Sequence, residues 1–167
     1  MKNPNTMLLL TVIVGVLVLG VAYAAIQNVT LTVTGEVVAT PDQGNFKVKF
    51  TGTPTSSGNG NATVSITGDL TATMSITGLK VVGDEMVVRY IIANESQGIS
   101  ADLSRTLTHT NNEYFDVTAT LSETQIDTTS TATLIIKVKL IKVPITENAT
   151  DSVTVNVIAR PVYESFS

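Results

Sequence analysis

From residue 25 onward, apolar and polar residues alternate with a period of two almost without interruption. Val29, Leu31, Val33 and Val37 alternate with Thr30, Thr32, Thr34 and Glu36, and Phe46, Val48 and Phe50 alternate with Lys47, Lys49 and Thr51. The same period recurs over residues 62–66, 70–76, 115–121, 131–143 and 153–159. A period of two places successive side chains on opposite faces of a strand, so one face packs and the other meets solvent. Residues 86–93 differ in being apolar on both faces except for Arg89, which predicts a central strand covered on both sides. Residues 103–109 give a weaker strand signal.

About nine strands result, punctuated by turn signals at Pro41-Asp42-Gln43-Gly44, Gly58-Asn59-Gly60-Asn61, Gly83-Asp84 and Asn111-Asn112. No stretch carries a helical stripe. The expected fold is all-β, an antiparallel β-sandwich of jelly-roll type. The 27 threonines and 22 valines of the chain agree, since β-branched residues suit a pleated surface. A short repeat, Ser65-Ile66-Thr67-Gly68 and Ser75-Ile76-Thr77-Gly78, reads as two successive strand ends with glycine at each turn.

Composition removes whole classes of chemistry. Without cysteine there is no disulfide framework, thiolate nucleophile or cysteine-ligated metal. The single histidine, His109, sits beside a turn and reads as exposed. No metal, phosphate-binding or nucleophile-elbow motif occurs, so neither an enzyme nor a cofactor is expected. Asp84-Glu85 reads as a solvated turn before a cation site. Lys137 and Lys139 read as an outer face that protects a sheet edge. With a formal charge of -4 and scattered basic residues, no nucleic-acid partner is expected.

The start of the chain has its own pattern. Lys2, three polar residues and a charge-free apolar run over residues 7–25, closing on Ala22-Tyr23-Ala24, have the form of a secretory signal peptide. Cleavage is expected between Ala24 and Ala25. The run is also long enough to span a bilayer, so an uncleaved anchor is the alternative, and the membrane is a partner only in that case. Four N-x-S/T sequons follow, at Asn28, Asn61, Asn94 and Asn148. The expected organisation is a signal peptide over residues 1–24, a terminal strand over 25–38, a linker over 39–45 and a β-sandwich body over 46–167.

The terminal strand carries no charge except Glu36 and precedes a turn-rich break. Such a strand can join its own sheet or complete the sheet of a neighbour, and head-to-tail pairing of the second kind generates a filament. Its inward face would be Val29, Leu31, Val33 and Val37, with Gly35 permitting close approach.

The order of features resembles the camelysin and TasA-like group of secreted filament proteins, and most closely its archaeal bundling-pilus subunits. The residues that carry the resemblance are the leader ending Ala22-Tyr23-Ala24-Ala25, the Thr/Val strand after it, Gly83-Asp84, the strand ending in Asn94-Glu95-Ser96, and Tyr114-Phe115-Asp116-Val117. The resemblance implies a jelly-roll subunit of an extracellular filament, a pilus or biofilm-matrix fibre. It further implies a head-to-tail homopolymer in which the N-terminal strand is donated to the next subunit, with lateral bundling of filaments. The protease activity ascribed to some camelysins is not carried over, because no metal motif is present. The sequence does not assign the acceptor groove, for which the long strands over residues 86–93 and 131–143 are candidates. The alternative function is a membrane-anchored monomeric β-sandwich, an adhesion or surface-layer accessory domain.

Overall fold

The computed structural model describes residues 29–37, 45–145 and 149–162. In chain order the strands are β1 (Val29–Val37), β2 (Val48–Gly58), β3 (Asn61–Gly68), β4 (Thr71–Thr77), β5 (Glu85–Asn94), β6 (Ser100–His109), β7 (Phe115–Leu121), β8 (Gln125–Ile126), β9 (Thr131–Leu140) and β10 (Ser152–Val162). No helix occurs among the described residues. The strands form a six-stranded sheet in the order β3-β4-β1-β10-β6-β8 and a four-stranded sheet in the order β2-β5-β9-β7. Both are antiparallel throughout, except that β1 runs parallel to β10.

The alternation read from the sequence becomes the two faces of each sheet. On β7, Phe115, Val117 and Ala119 are buried while Asp116, Thr118 and Thr120 are exposed. Rows of this kind from both sheets interdigitate into one core, whose largest fully buried side chains include Tyr90, Phe115, Met74, Ile92, Leu134 and Ile136. The rings of Phe50 and Tyr90 meet at a centroid distance of 5.4 Å, and the Tyr90 hydroxyl donates to the Thr73 carbonyl across the sandwich at 3.2 Å. Burial pushes the Tyr90 phenol up to about 12.

Successive strands lie in opposite sheets at every step except β3 to β4. This crossing between layers is the jelly-roll character expected from the sequence. The two Ser-Ile-Thr-Gly repeats fall at the ends of β3 and β4, the one pair of consecutive strands that are also neighbours.

Several expectations are corrected. The strand over residues 86–93 is central, between β2 and β9, but it is not covered on both sides: Arg89 and Ile91 are exposed, and only alternate residues from Met86 to Asn94 are buried. Its second apolar row faces outward. Lys137 and Lys139 are exposed but protect no edge, because β9 has β5 and β7 as neighbours. The first of the two lysines pairs with Glu85 at 3.2 Å. β2 continues past Thr51 through a bulge at residues 51–55 containing Pro54 and Gly52, whose φ of 68° suits glycine. β8 has only two residues, too short for any periodic signal.

Candidate functional site: the slot that holds the first strand

β1 lies between β4 and β10. Against β4 it is antiparallel, with Val29 opposite Ile76, Leu31 opposite Met74 and Val33 opposite Ala72. Against β10 it is parallel, with Leu31 opposite Val153, Val33 opposite Val155, Gly35 opposite Val157 and Val37 opposite Ala159. Ala72, Met74 and Ile76 of β4 and Val153, Val155, Val157 and Ala159 of β10 are all buried. Register therefore sets Val33 beside the buried Ala72 and Val155, and Gly35 beside the buried Val157, in the core-facing row. Val33 is completely buried, which stabilises the seated strand by about 1.5–3 kcal/mol.

Two contacts fix how far the strand slides in. A Cβ on Gly35 would collide with the side chain and carbonyl of Leu70, so only glycine fits at that level. Leu70 lies in the two-residue β3–β4 turn, which is held against the other sheet by a hydrogen bond from the Phe50 N–H to the Asp69 carbonyl. On the opposite face, the Thr34 hydroxyl donates to the Asn156 side-chain carbonyl of the neighbouring strand. A one-residue slip would remove glycine from Leu70 and turn Val33 toward solvent. Sequence reading anticipated Gly35 as a point of close approach but not Leu70 or Asn156, which lie 35 and 121 residues further on, and no local pattern links such positions.

The slot carries no charge. β4 has no ionisable residue, β10 has none before Arg160, and β1 has only Glu36. Backbone pairing, apolar fit and register therefore hold β1, with no ion pair among the described side chains of the slot. Without β1, β4 would still pair with β3 and β10 with β6. β1 is a separable piece, and its removal leaves two unpaired strand edges above an open core. The strands that flank β1 are thus β4 and β10, and not the candidate acceptor strands over residues 86–93 and 131–143. Those residues form β5 and β9, interior strands of the opposite sheet with both edges already used.

The remaining sequence-derived positions separate clearly. Ala24, Ala25, Asn28 and Asn148 lie outside the described residues, as does most of the linker expected over 39–45. Asn61 is exposed at the start of β3. Asn94 is corrected as a glycan acceptor, because its side chain is buried and fully engaged. Its Nδ2 donates to the carbonyls of Ile99 at 2.8 Å and Ile126 at 3.2 Å, and its Oδ1 accepts from the Ser96 N–H at 3.0 Å. Ser96 in turn accepts from the Lys47 N–H at 2.8 Å, so the Asn-Glu-Ser segment pins the start of β2 to the end of β5. Glu95 adds ion pairs to Lys47 and Lys49 at 3.0 and 2.8 Å, and hydrogen bonds from Lys49 and then Lys47 hold its carboxyl below the usual range.

His109 is also corrected. It ends β6 largely enclosed, with Nδ1 3.0 Å from the buried Asp151 carboxylate. Asp151 further accepts from the N–H and hydroxyl of Thr110 and from the Asn111 N–H. The Thr110 hydroxyl faces the carboxylate and not the imidazole, so this geometry satisfies a buried charge and does not activate a nucleophile. Asp84 accepts from the N–H groups of Lys80 and Val81 at 2.8 and 2.9 Å, and the Lys80 N–H foremost lowers its pKa. It closes the turn before β5, as the solvated-turn reading expects. No cluster of metal-ligating side chains occurs among the described residues.

No family model, curated protein or solved structure matches the chain.

Proposed function

We propose that this protein is a structural subunit of an extracellular filament, assembled when β1 of one copy occupies the slot between β4 and β10 of the next. The observation that carries this reading is the separability of β1. It meets the body at one uncharged slot, its register is keyed by Gly35, and ten residues, 38–47, separate it from β2, a length of chain that fully extended would span about 35 Å. The resemblance to secreted filament proteins, and the apolar leader suited to export, point the same way. No catalytic step is part of this function.

The physics of the exchange is simple. A β1 strand seated in its own body and one seated in a neighbour make the same contacts, so the slot itself does not decide between them. The balance is set by linker strain, by protein concentration against the effective concentration of the tethered strand, and by any new contact between bodies. In the single chain β1 fills its own slot, and that observation favours the alternative, an anchored or secreted monomer of adhesive or surface-layer type.

The chain has no cysteine, so an engineered pair reports without background. Thr32 and Thr154 are register partners on the face away from the core. Combining Thr32→Cys with Thr154→Cys in the secreted protein and running a non-reducing gel separates the readings. A ladder of covalent multimers is expected. Cross-linked monomer alone would rule out strand donation, and the mass of the secreted N-terminus tests cleavage before Ala25.

A further inference from the structure

We propose that the free edge of β3 is a self-pairing surface, through which two copies of this chain join by antiparallel β3–β3 hydrogen bonding into one continuous sheet. β3 ends the six-stranded sheet, and among the described residues its only backbone partner is β4. A free edge is a template for another strand, and proteins ordinarily blunt it with charge, proline, a bulge, shortness or a cover. The other edges here are blunted in these ways. β8 is two residues long beside Asp102 and Asp127, β2 carries a bulge with Pro54, is preceded by Lys47 and contains Lys49, and β7 carries Asp116 between Glu113 and Glu123. β3 runs eight residues, Asn61–Gly68, without a charge or a proline, and its only irregularity lies at its last residues. Over residues 50–79 the sole ionisable side chain is Asp69.

The occupant best suited to this edge is the edge itself. Ala62, Val64 and Ile66 face the core side but remain half-buried at the rim of the sandwich, while Thr63, Ser65 and Thr67 are exposed on the other face. A two-fold axis through Val64 or through Ser65 sets the apolar row of one copy beside the apolar row of the other, and hydroxyl beside hydroxyl. Both rows are uncharged, so nothing repels. A strongly charged partner, by contrast, would find no counter-charge on this strand.

This contact is independent of β1 exchange, and the test keeps the two apart. Thr32→Cys/Thr154→Cys protein refolded and oxidised at high dilution has β1 locked in its own slot, and sedimentation velocity then reports edge pairing alone. Concentration-dependent dimers are expected. Thr63→Lys/Ser65→Lys in this locked background changes two exposed side chains, preserves the β-sheet circular dichroism, and weakens dimerisation roughly tenfold or more by opposing like charges. Mixing it with Thr63→Glu/Ser65→Glu restores the dimer. A locked protein that stays monomeric at every concentration, or a Lys variant that dimerises as the parent does, would overturn the proposal without touching the strand-donation reading. Loss of the covalent ladder with retention of the locked dimer would overturn only strand donation.

Discussion

Tyr90 illustrates how one side chain couples the two layers. Its ring packs in the core from β5, and its hydroxyl reaches a carbonyl on the strand that borders the β1 slot. Tyr90→Phe removes that bond and leaves the Thr73 carbonyl without this donor, costing about 1 kcal/mol in urea unfolding. The raised phenol also sets a pH window: the fold holds Tyr90 neutral to about 12, whereas the unfolded chain ionises near 10. Stability supplied by this group is complete below about pH 10 and is lost as pH rises through about 12. The Phe variant should lack that alkaline loss in a series of melting curves. Asn94 belongs to the same scale. Asn94→Ala strips partners from two carbonyls and one N–H, so a loss of about 3 kcal/mol is expected, measured by denaturant unfolding. The Asn-Glu-Ser segment and the Gly-Asp turn, which carry the family resemblance, thus do structural work: one pins β2 to β5, and the other starts β5. A sequon and a structural asparagine are spelled alike, and only burial separates Asn94 from the exposed Asn61.

At the scale of elements, the sequence disclosed strands but not their neighbours. A period of two fixes which side chains of β7 or β9 face inward, because the pleat alone dictates it. Partner choice depends on residues far along the chain, and nothing local in residues 29–37 names β4 and β10. The same gap explains why sequence alone makes β5 and β9 candidates for the strands beside β1: they are long and apolar, qualities that suit the middle of a sheet as well as its edge. β8, whose two residues are fixed by pairing with Ala101 and Asp102, left no signal at all. The slot, however, makes a sharp demand that sequence can test. Gly35→Val drives side-chain atoms into Leu70 and should prevent β1 from seating in either its own or a neighbour's body. Increased protease cleavage near residues 29–44 and loss of polymer in electron micrographs are the expected results. A Gly35→Val protein with parental protease resistance would show that the Leu70 contact does not set the register.

For the whole molecule, charge is where pH and salt act. Asp84 and Glu95 are held below their ordinary pKa values by hydrogen bonds, so the stability they add is present above the unfolded range near pH 4 and is lost as pH falls through their folded values. Glu95 is exposed and Asp84 partly so, and the fall in melting temperature below pH 4 from these two should be small. β4, β10 up to Arg160 and the β3 edge carry no ionisable side chain, so assembly through them should be nearly indifferent to ionic strength. Light-scattering growth curves that change by less than about twofold between low and high salt would agree, since screening acts on charges alone. Strong inhibition by salt would mean that charged surfaces elsewhere drive association.

The parallel pairing of β1 with β10 joins the first strand to the last. Under the proposed function, a chain exported N-terminus first presents β1 long before its partner exists outside. Until residues 152–162 arrive, β1 has no second flank in its own body, while a folded neighbour whose slot is open already offers both. The order of emergence therefore gives a newly exported chain an interval in which another molecule's slot is the better-formed one.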